Sequence, residues 1–215
     1  MEKNISQITI EELKNILFDR CKKKARVILA IAGPPASGKS TLAKNISEYF
    51  NLKQKSFASI VPMDGFHYDD TYLIPAGLRD KKGAIQTFDF GGFYHTVKRL
   101  YDRNEKEVAV PIFDRKIEIA RAGARIINSD IPLIIVEGNY LLIDLYPWSQ
   151  LRSFFDVKVF LNVPKIIVRE RLINRWKHYK IPSDEINKKL EKNDLPNAEL
   201  IYTKSSGADY LMVNG

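Results

Sequence analysis

The chain has 215 residues, 45% of them hydrophobic and 28% charged, with one cysteine and a formal net charge of +8. That balance predicts one soluble domain, spanning residues 1–215, whose core needs no disulfides, and a lone thiol excludes a disulfide framework or a multi-cysteine zinc site. No run approaches the ~20 apolar residues of a membrane helix and the first ten residues lack a secretory core, so the expected setting is the cytoplasm; the cationic surplus suits an anionic partner or reflects a Lys-rich composition.

The first predicted element is a helix opened by Thr9 and Glu12 in capping-box spacing, with Leu13, Ile16 and Leu17 on one face. It runs out in the basic stretch Lys22–Arg26, and Cys21 reads as an ordinary helix residue. Five short apolar runs follow: Val27–Ala32, Ala58–Met63, Leu133–Val136, Val157–Leu161 and Tyr210–Val213. Helical patterns over Thr41–Phe50, Gly92–Arg103 and Lys165–Tyr179 separate most of them. Near-continuous apolar strands alternating with helices predict an α/β fold whose parallel sheet is covered on both faces. Two stretches fit poorly, 64–89 and 105–130, and are expected as insertions at the functional end of the sheet.

Between the first strand and the next helix lies Gly33-Pro34-Pro35-Ala36-Ser37-Gly38-Lys39-Ser40, a match to the phosphate-binding loop, with Thr41 opening the helix. Gly33 and Gly38 permit backbone conformations that turn successive N–H groups inward as an anion nest. The helix N-terminus adds partial positive charge. Lys39 can reach the β- and γ-phosphates of ATP, and the Ser40 hydroxyl can hold Mg²⁺.

Two acids follow buried strands, Asp64 after Ala58–Met63 and Glu137 after Leu133–Val136. Strand carboxyl ends form the ligand edge of such a sheet. One carboxylate can serve the metal, a hard cation, while the other accepts a proton from an attacking hydroxyl; each also sits before a glycine, as a turn acid would. Three arginines, Arg169, Arg171 and Arg175, fall within one helical pattern. Arg171 and Arg175 are four apart and share a face, which suits a lid (165–179) that neutralises transferring phosphate; a solvated helix face is the plain alternative.

The pieces GPPASGKST, PMDGFHYDD, GAIQTFDF, PIFDR, VEGNYLL, RLINRW and NDLPNAELI together resemble the phosphoribulokinase, uridine kinase and pantothenate kinase group of phosphate-loop metabolite kinases. Within it the chain looks most like a bacterial branch described as kinases linked to fructose uptake. The resemblance implies a three-layer sandwich with a five-stranded sheet in the order 2-3-1-4-5, an ATP and Mg²⁺ requirement, and phosphoryl transfer to a hydroxyl of a small acceptor. It also implies Asp64 as catalytic base, Glu137 as the carboxylate of the VEG strand end, and Arg175 as the lid arginine. His67, Tyr68, Arg79 and Arg115 fall in the acceptor region, and Asn193 and Asn197 in an adenine-side loop.

Other residues read more plainly. His95 suits a helix surface, and Trp148 and Trp176 suit packing. The aromatics Phe66, Tyr68, Tyr72, Phe88, Phe90 and Phe93 could be core or acceptor wall. The rival class is a phosphate-loop ATPase with a regulatory or nucleic-acid-linked role. The placement of Asp64 and the lack of a basic, aromatic-interleaved patch count against nucleic acid. The expected partner is therefore a small hydroxyl acceptor, with no membrane; a homodimer is left open.

Overall fold

The computed structural model describes residues 5–214. Two central strands, β2 (Val27–Ala32) and β6 (Leu133–Gly138), are buried at every position. Alternation sends Ile28, Ala30, Ile134 and Val136 to one face and Val27, Leu29, Ile31, Leu133 and Ile135 to the other. Both faces are covered, which is why these strands read as unbroken apolar runs. Burying each such side chain contributes roughly 1.5–3 kcal/mol.

One cover is made by α1 (Ile10–Lys23) and α2 (Lys39–Lys53), which supply Leu13, Leu17, Ile46 and Phe50. Thr9 and Glu12 form the expected reciprocal capping box at the start of α1. The other cover includes α4 (Phe90–Asp102), with Phe93, Val97 and Leu100 facing inward. Cys21 is half-buried, and burial pushes its thiol up to about 11, so it is an inert helix residue.

The remaining strands are β1 (Ser6–Gln7), β3 (Ala58–Pro62), β7 (Val157–Asn162) and β8 (Tyr210–Val213), and the parallel sheet runs β1-β8-β7-β2-β6-β3. The expected five-strand order is present as β3-β6-β2-β7-β8. The count is corrected to six, because Ser6–Gln7 adds a two-residue edge strand beside β8. Its pairing is carried by backbone groups of exposed polar residues, and no apolar pattern marks it. Met63 leaves the strand it was assigned to and opens a 3-10 turn, Met63–Phe66. Glu137 lies inside β6, opposite Ile31 and Pro62, rather than in a turn after it.

The first insertion lies at the carboxyl end of the sheet, and the second starts near Arg26 at the amino end and brings its tip, residues 113–118, to a cavity that both line. In the first, the short helix α3 (Asp70–Leu73) and two 3-10 turns are tied back by an antiparallel bridge between His67 and Phe88. The second is an antiparallel hairpin of β4 (Glu107–Asp114) and β5 (Ile119–Asn128). The two meet at Gly65, where a Cβ would lie 2.2 Å from the Pro111 carbonyl oxygen. Only glycine allows that approach.

Above the phosphate loop, α5 (Lys165–His178), α6 (Ser183–Lys189) and α7 (Leu195–Lys204) form a small core of their own through Val168, Leu172, Ile186, Leu190 and Ala198. A π-helical turn, Leu190–Asp194, joins α6 to α7. Among the described residues no helix is long and apolar enough to cross a membrane.

Candidate active site

The phosphate loop leaves the end of β2 and closes on α2. Gly38 is left-handed at φ +94° and caps α2 without any side-chain hydrogen bond. The first N–H groups of that helix are thus left for an incoming anion. Gly33 permits a close approach, since a Cβ there would lie 2.8 Å from the Leu161 carbonyl oxygen. Ser37 is buried, and its carbonyl accepts a 2.7 Å hydrogen bond from Asn214 Nδ2.

Lys39 is 7% exposed and donates to the Pro34 carbonyl at 2.8 Å, an intraloop partner that phosphate oxygens can replace. Burial pushes its ammonium down to about 8, opposed by Glu137 and Asp64. Ser40 Oγ donates to Glu137 Oε1 at 3.1 Å. Burial, aided by the nearby Asp64 charge, pushes the Glu137 carboxyl up to about 7.

Asp64 stands one residue into the turn after β3, with its carboxylate ion-paired to Arg115 from the hairpin. Burial would raise this carboxyl, but Arg115, His67, Lys39 and Arg175 together hold it below the usual carboxylate range. It is therefore ionised at neutral pH, the state a proton acceptor needs. His67 Nδ1 lies 2.8 Å from the Asp64 carbonyl oxygen, and burial lowers its imidazole.

These groups line one cavity of about 400 Å³. Pro35, Ala36, Lys39, Ser40, Asp64 and Glu137 form its inner end. His67, Arg79 and Arg115 line the outer end, with Arg175, Asn193 and Asn197 contributed from above. Gly33, Pro34, Ser37 and Gly38 shape the loop beneath, and Thr41 is exposed on the first turn of α2.

Two expected residues do not reach the cavity lining. Tyr68 gives its N–H to the Thr87 carbonyl and sets its ring against Tyr72. Arg171 is half-buried one turn before Arg175, and that turn, about 5 Å along the axis, separates it from the group that lines the cavity. Arg169 points away and pairs with Glu191 at 2.7 Å. The aromatic set divides: Phe66, Phe88 and Phe93 are core, Phe88 also lines the cavity, and Tyr72 is exposed.

Lys82, Phe113, Trp176 and Asp194 also line the cavity and were not expected there. Trp176 Nε1 donates to Asp194 Oδ2 at 2.7 Å, and burial raises that carboxyl. Asp194 lies inside the quoted NDLPN piece and was legible in it. Lys82, in a Lys-rich chain, carries no signal of its own. Asn193 Nδ2 donates to the Lys82 carbonyl at 2.9 Å, which ties the π-turn to the first insertion. A second, largely apolar cavity of about 310 Å³ between α5 and α7 holds none of these acids.

A phosphate loop at the head of a parallel sheet, sharing a cavity with the Asp64 carboxylate and the Arg175 guanidinium, defines a phosphate-loop kinase. The Phosphoribulokinase / Uridine kinase family model matches residues 28–180. A Schizosaccharomyces pombe protein named "putative uridine kinase" is 31% identical over 198 residues, covering 89% of this chain and 84% of its own. The uncharacterised Escherichia coli protein YggC is 32% identical over 189 residues, covering 87% and 77%. The crystal structure of a "putative fructose transport system kinase" from Silicibacter superposes with a TM-score of 0.84 at 36% identity, covering 95% of this chain and 98% of its own. The chain belongs to the phosphoribulokinase and uridine kinase family. It is an ATP-dependent phosphotransferase with an alcohol group as acceptor.

Proposed function

We propose that this enzyme moves the γ-phosphoryl group of ATP to a hydroxyl of a small sugar-, nucleoside- or pantothenate-like metabolite bound between the two insertions. The observation that carries this reading is the shared cavity of about 400 Å³, which Lys39 and Ser40 of the phosphate loop line together with Asp64 and with Arg79 and Arg115 of the two insertions. The name of the S. pombe protein gives uridine, a hydroxyl-rich nucleoside, as that protein's acceptor, and the Silicibacter protein is titled a kinase of a fructose transport system.

In this reading Lys39 exchanges the Pro34 carbonyl for phosphate oxygens, and the free N–H groups of the loop hold the same anion. Arg175 stabilises the charge that spreads over the transferring group. Asp64 takes the proton of the acceptor hydroxyl as its oxygen bonds to phosphorus and the bond to the ADP oxygen breaks. The Ser40 hydroxyl and the Glu137 carboxylate offer hard oxygens, which fits Mg²⁺. Among the described residues no group of three or more His, Cys, Asp or Glu could hold a metal ion. When bound, Mg²⁺ neutralises charge on the phosphate oxygens. Asn193 and Asn197, which line the cavity from the π-turn and α7, are the adenine-side contacts in this reading.

The test is ADP release with ATP·Mg²⁺ alone, with pooled sugars, nucleosides and vitamins, and with nucleic acid. Release that depends on a small acceptor is expected. Release that depends only on nucleic acid would establish the rival ATPase instead.

A further inference from the structure

The outer end of the cavity has more cations than its carboxylates match. Asp70 alone partners both Arg79, at 2.6 Å, and Lys82, at 2.7 Å. The Lys82 side chain is only 7% exposed, so little of its charge is hydrated. Lys82 Nζ lies 5.4 Å from the centroid of the Phe113 ring, and Arg115 Cζ lies 5.7 Å from the same centroid. The two cations thus converge on one cavity-lining ring, with His67 packed against it at 5.0 Å. Asp80 and Glu118 line the same cavity; Lys82 Nζ also donates to the Glu118 backbone carbonyl at 3.0 Å, but neither carboxylate forms an ion pair with Lys82 or Arg115.

The partner of Arg115 is Asp64, the group that must turn to the acceptor hydroxyl during transfer. When Asp64 does so, the guanidinium loses its anion. A neutral acceptor leaves that loss standing, whereas an acidic one makes it good.

We propose, resting on the kinase reading above, that the acceptor carries a carboxylate or phosphate that docks on Arg115 and Lys82 over Phe113. Its docking draws Arg115 off Asp64, so the base is released only when an anionic acceptor is in place. Transfer then forms the bond from the acceptor oxygen to the γ-phosphorus and breaks the bond from that phosphorus to the bridging oxygen. The electron pair leaves with ADP, and the hydroxyl proton goes to Asp64. While Arg115 covers Asp64, water is denied the same base, which limits hydrolysis of ATP without an acceptor.

The test uses matched acceptors that differ by one anionic group: glycerol and glycerate, ribose and ribose 5-phosphate, pantothenol and pantothenate. ADP release and Tm are measured with ATP·Mg²⁺ for wild type, Arg115→Met and Lys82→Met. Wild type is expected to favour the anionic member of its best pair in kcat/KM by roughly 10- to 100-fold, the scale of one charge-assisted hydrogen bond. Arg115→Met is expected to lose most of that preference and to hydrolyse ATP several-fold faster when no acceptor is present. An Arg115 that only supported the fold would change both members of a pair alike, which contradicts the proposal. A neutral member used as well as its anionic partner overturns it and leaves the kinase reading intact. A panel in which no anionic member raises ADP release or Tm, while a neutral acceptor from the pooled screen does, overturns the proposal and leaves the kinase reading intact. Should Arg115→Met not fold, Lys82→Met decides, because a fully retained preference in that variant excludes the two-cation site.

Discussion

The two ends of the cavity are built differently. The phosphate end comes from one contiguous stretch, Gly33–Ser40, whose key cation is 7% exposed and whose ligand groups are largely backbone N–H. The acceptor end is assembled from the first insertion, the hairpin and the lid helix, and is held by ion pairs such as Arg115–Asp64 and Arg79–Asp70. A γ-phosphate presents the same shape whatever the acceptor, so a rigid, locally encoded loop serves it. An acceptor site set by distant segments can change its specificity without disturbing the sheet.

The largest effect should come from breaking the phosphate end. Lys39→Ala removes the buried cation and should lower kcat/KM by on the order of 10³-fold, measured as acceptor-dependent ADP release. Near wild-type turnover would remove the loop from the chemistry. On the lid, Arg175→Ala should cost roughly 10- to 100-fold, more in kcat than in KM for ATP, and Arg175→Lys should restore only part of it because a lysine cannot make the forked contact.

A smaller effect, on stability first, is expected where the insertions meet. Gly65→Ala forces its new methyl against the Pro111 carbonyl of the hairpin. It should cost about 1–3 kcal/mol by overpacking, read as a lower Tm, and should weaken acceptor KM more than ATP KM because the hairpin carries Arg115. Arg171→Ala sharpens the comparison from the other side. Lying off the cavity, it should change kcat/KM by less than about 3-fold, within the range of an ordinary surface change.

The phosphate end was legible because its spacing and flanks are local. The strands were legible because largely buried strands leave unbroken apolar runs, and the order that the family resemblance implies for five of them stands. Three features were lost for physical reasons. The edge strand Ser6–Gln7 has polar residues and bonds only through its backbone. The hairpin was read only as an insertion because most of β5, Ile119 and Ile126 included, is exposed, which erases the alternation. The apolar run ends at Val136, which places Glu137 just past the strand, whereas β6 continues through Glu137 to Gly138, where a Cβ would meet the Met63 side chain at 2.5 Å.

The motif pieces point to Asp64, His67, Arg79 and Arg115, and these four line one cavity. They could not say which turn of the lid helix faces inward, so Arg171 was grouped with Arg175. Nor could they show Lys82 and Phe113 converging across thirty residues of chain.

The central claim is that Asp64 is the base linking the two ends, and Asp64→Asn tests it most directly. Calorimetric binding of ATP·Mg²⁺ and the rate of acceptor phosphorylation are measured on the same preparation, with the best acceptor from the pooled screen. Asparagine keeps the shape but cannot take the proton, so binding should be nearly unchanged while phosphorylation falls by about 10²–10⁴-fold. Unchanged phosphorylation would contradict the account, and a parallel loss of Mg²⁺-dependent nucleotide binding would make Asp64 a metal-side ligand instead of the base.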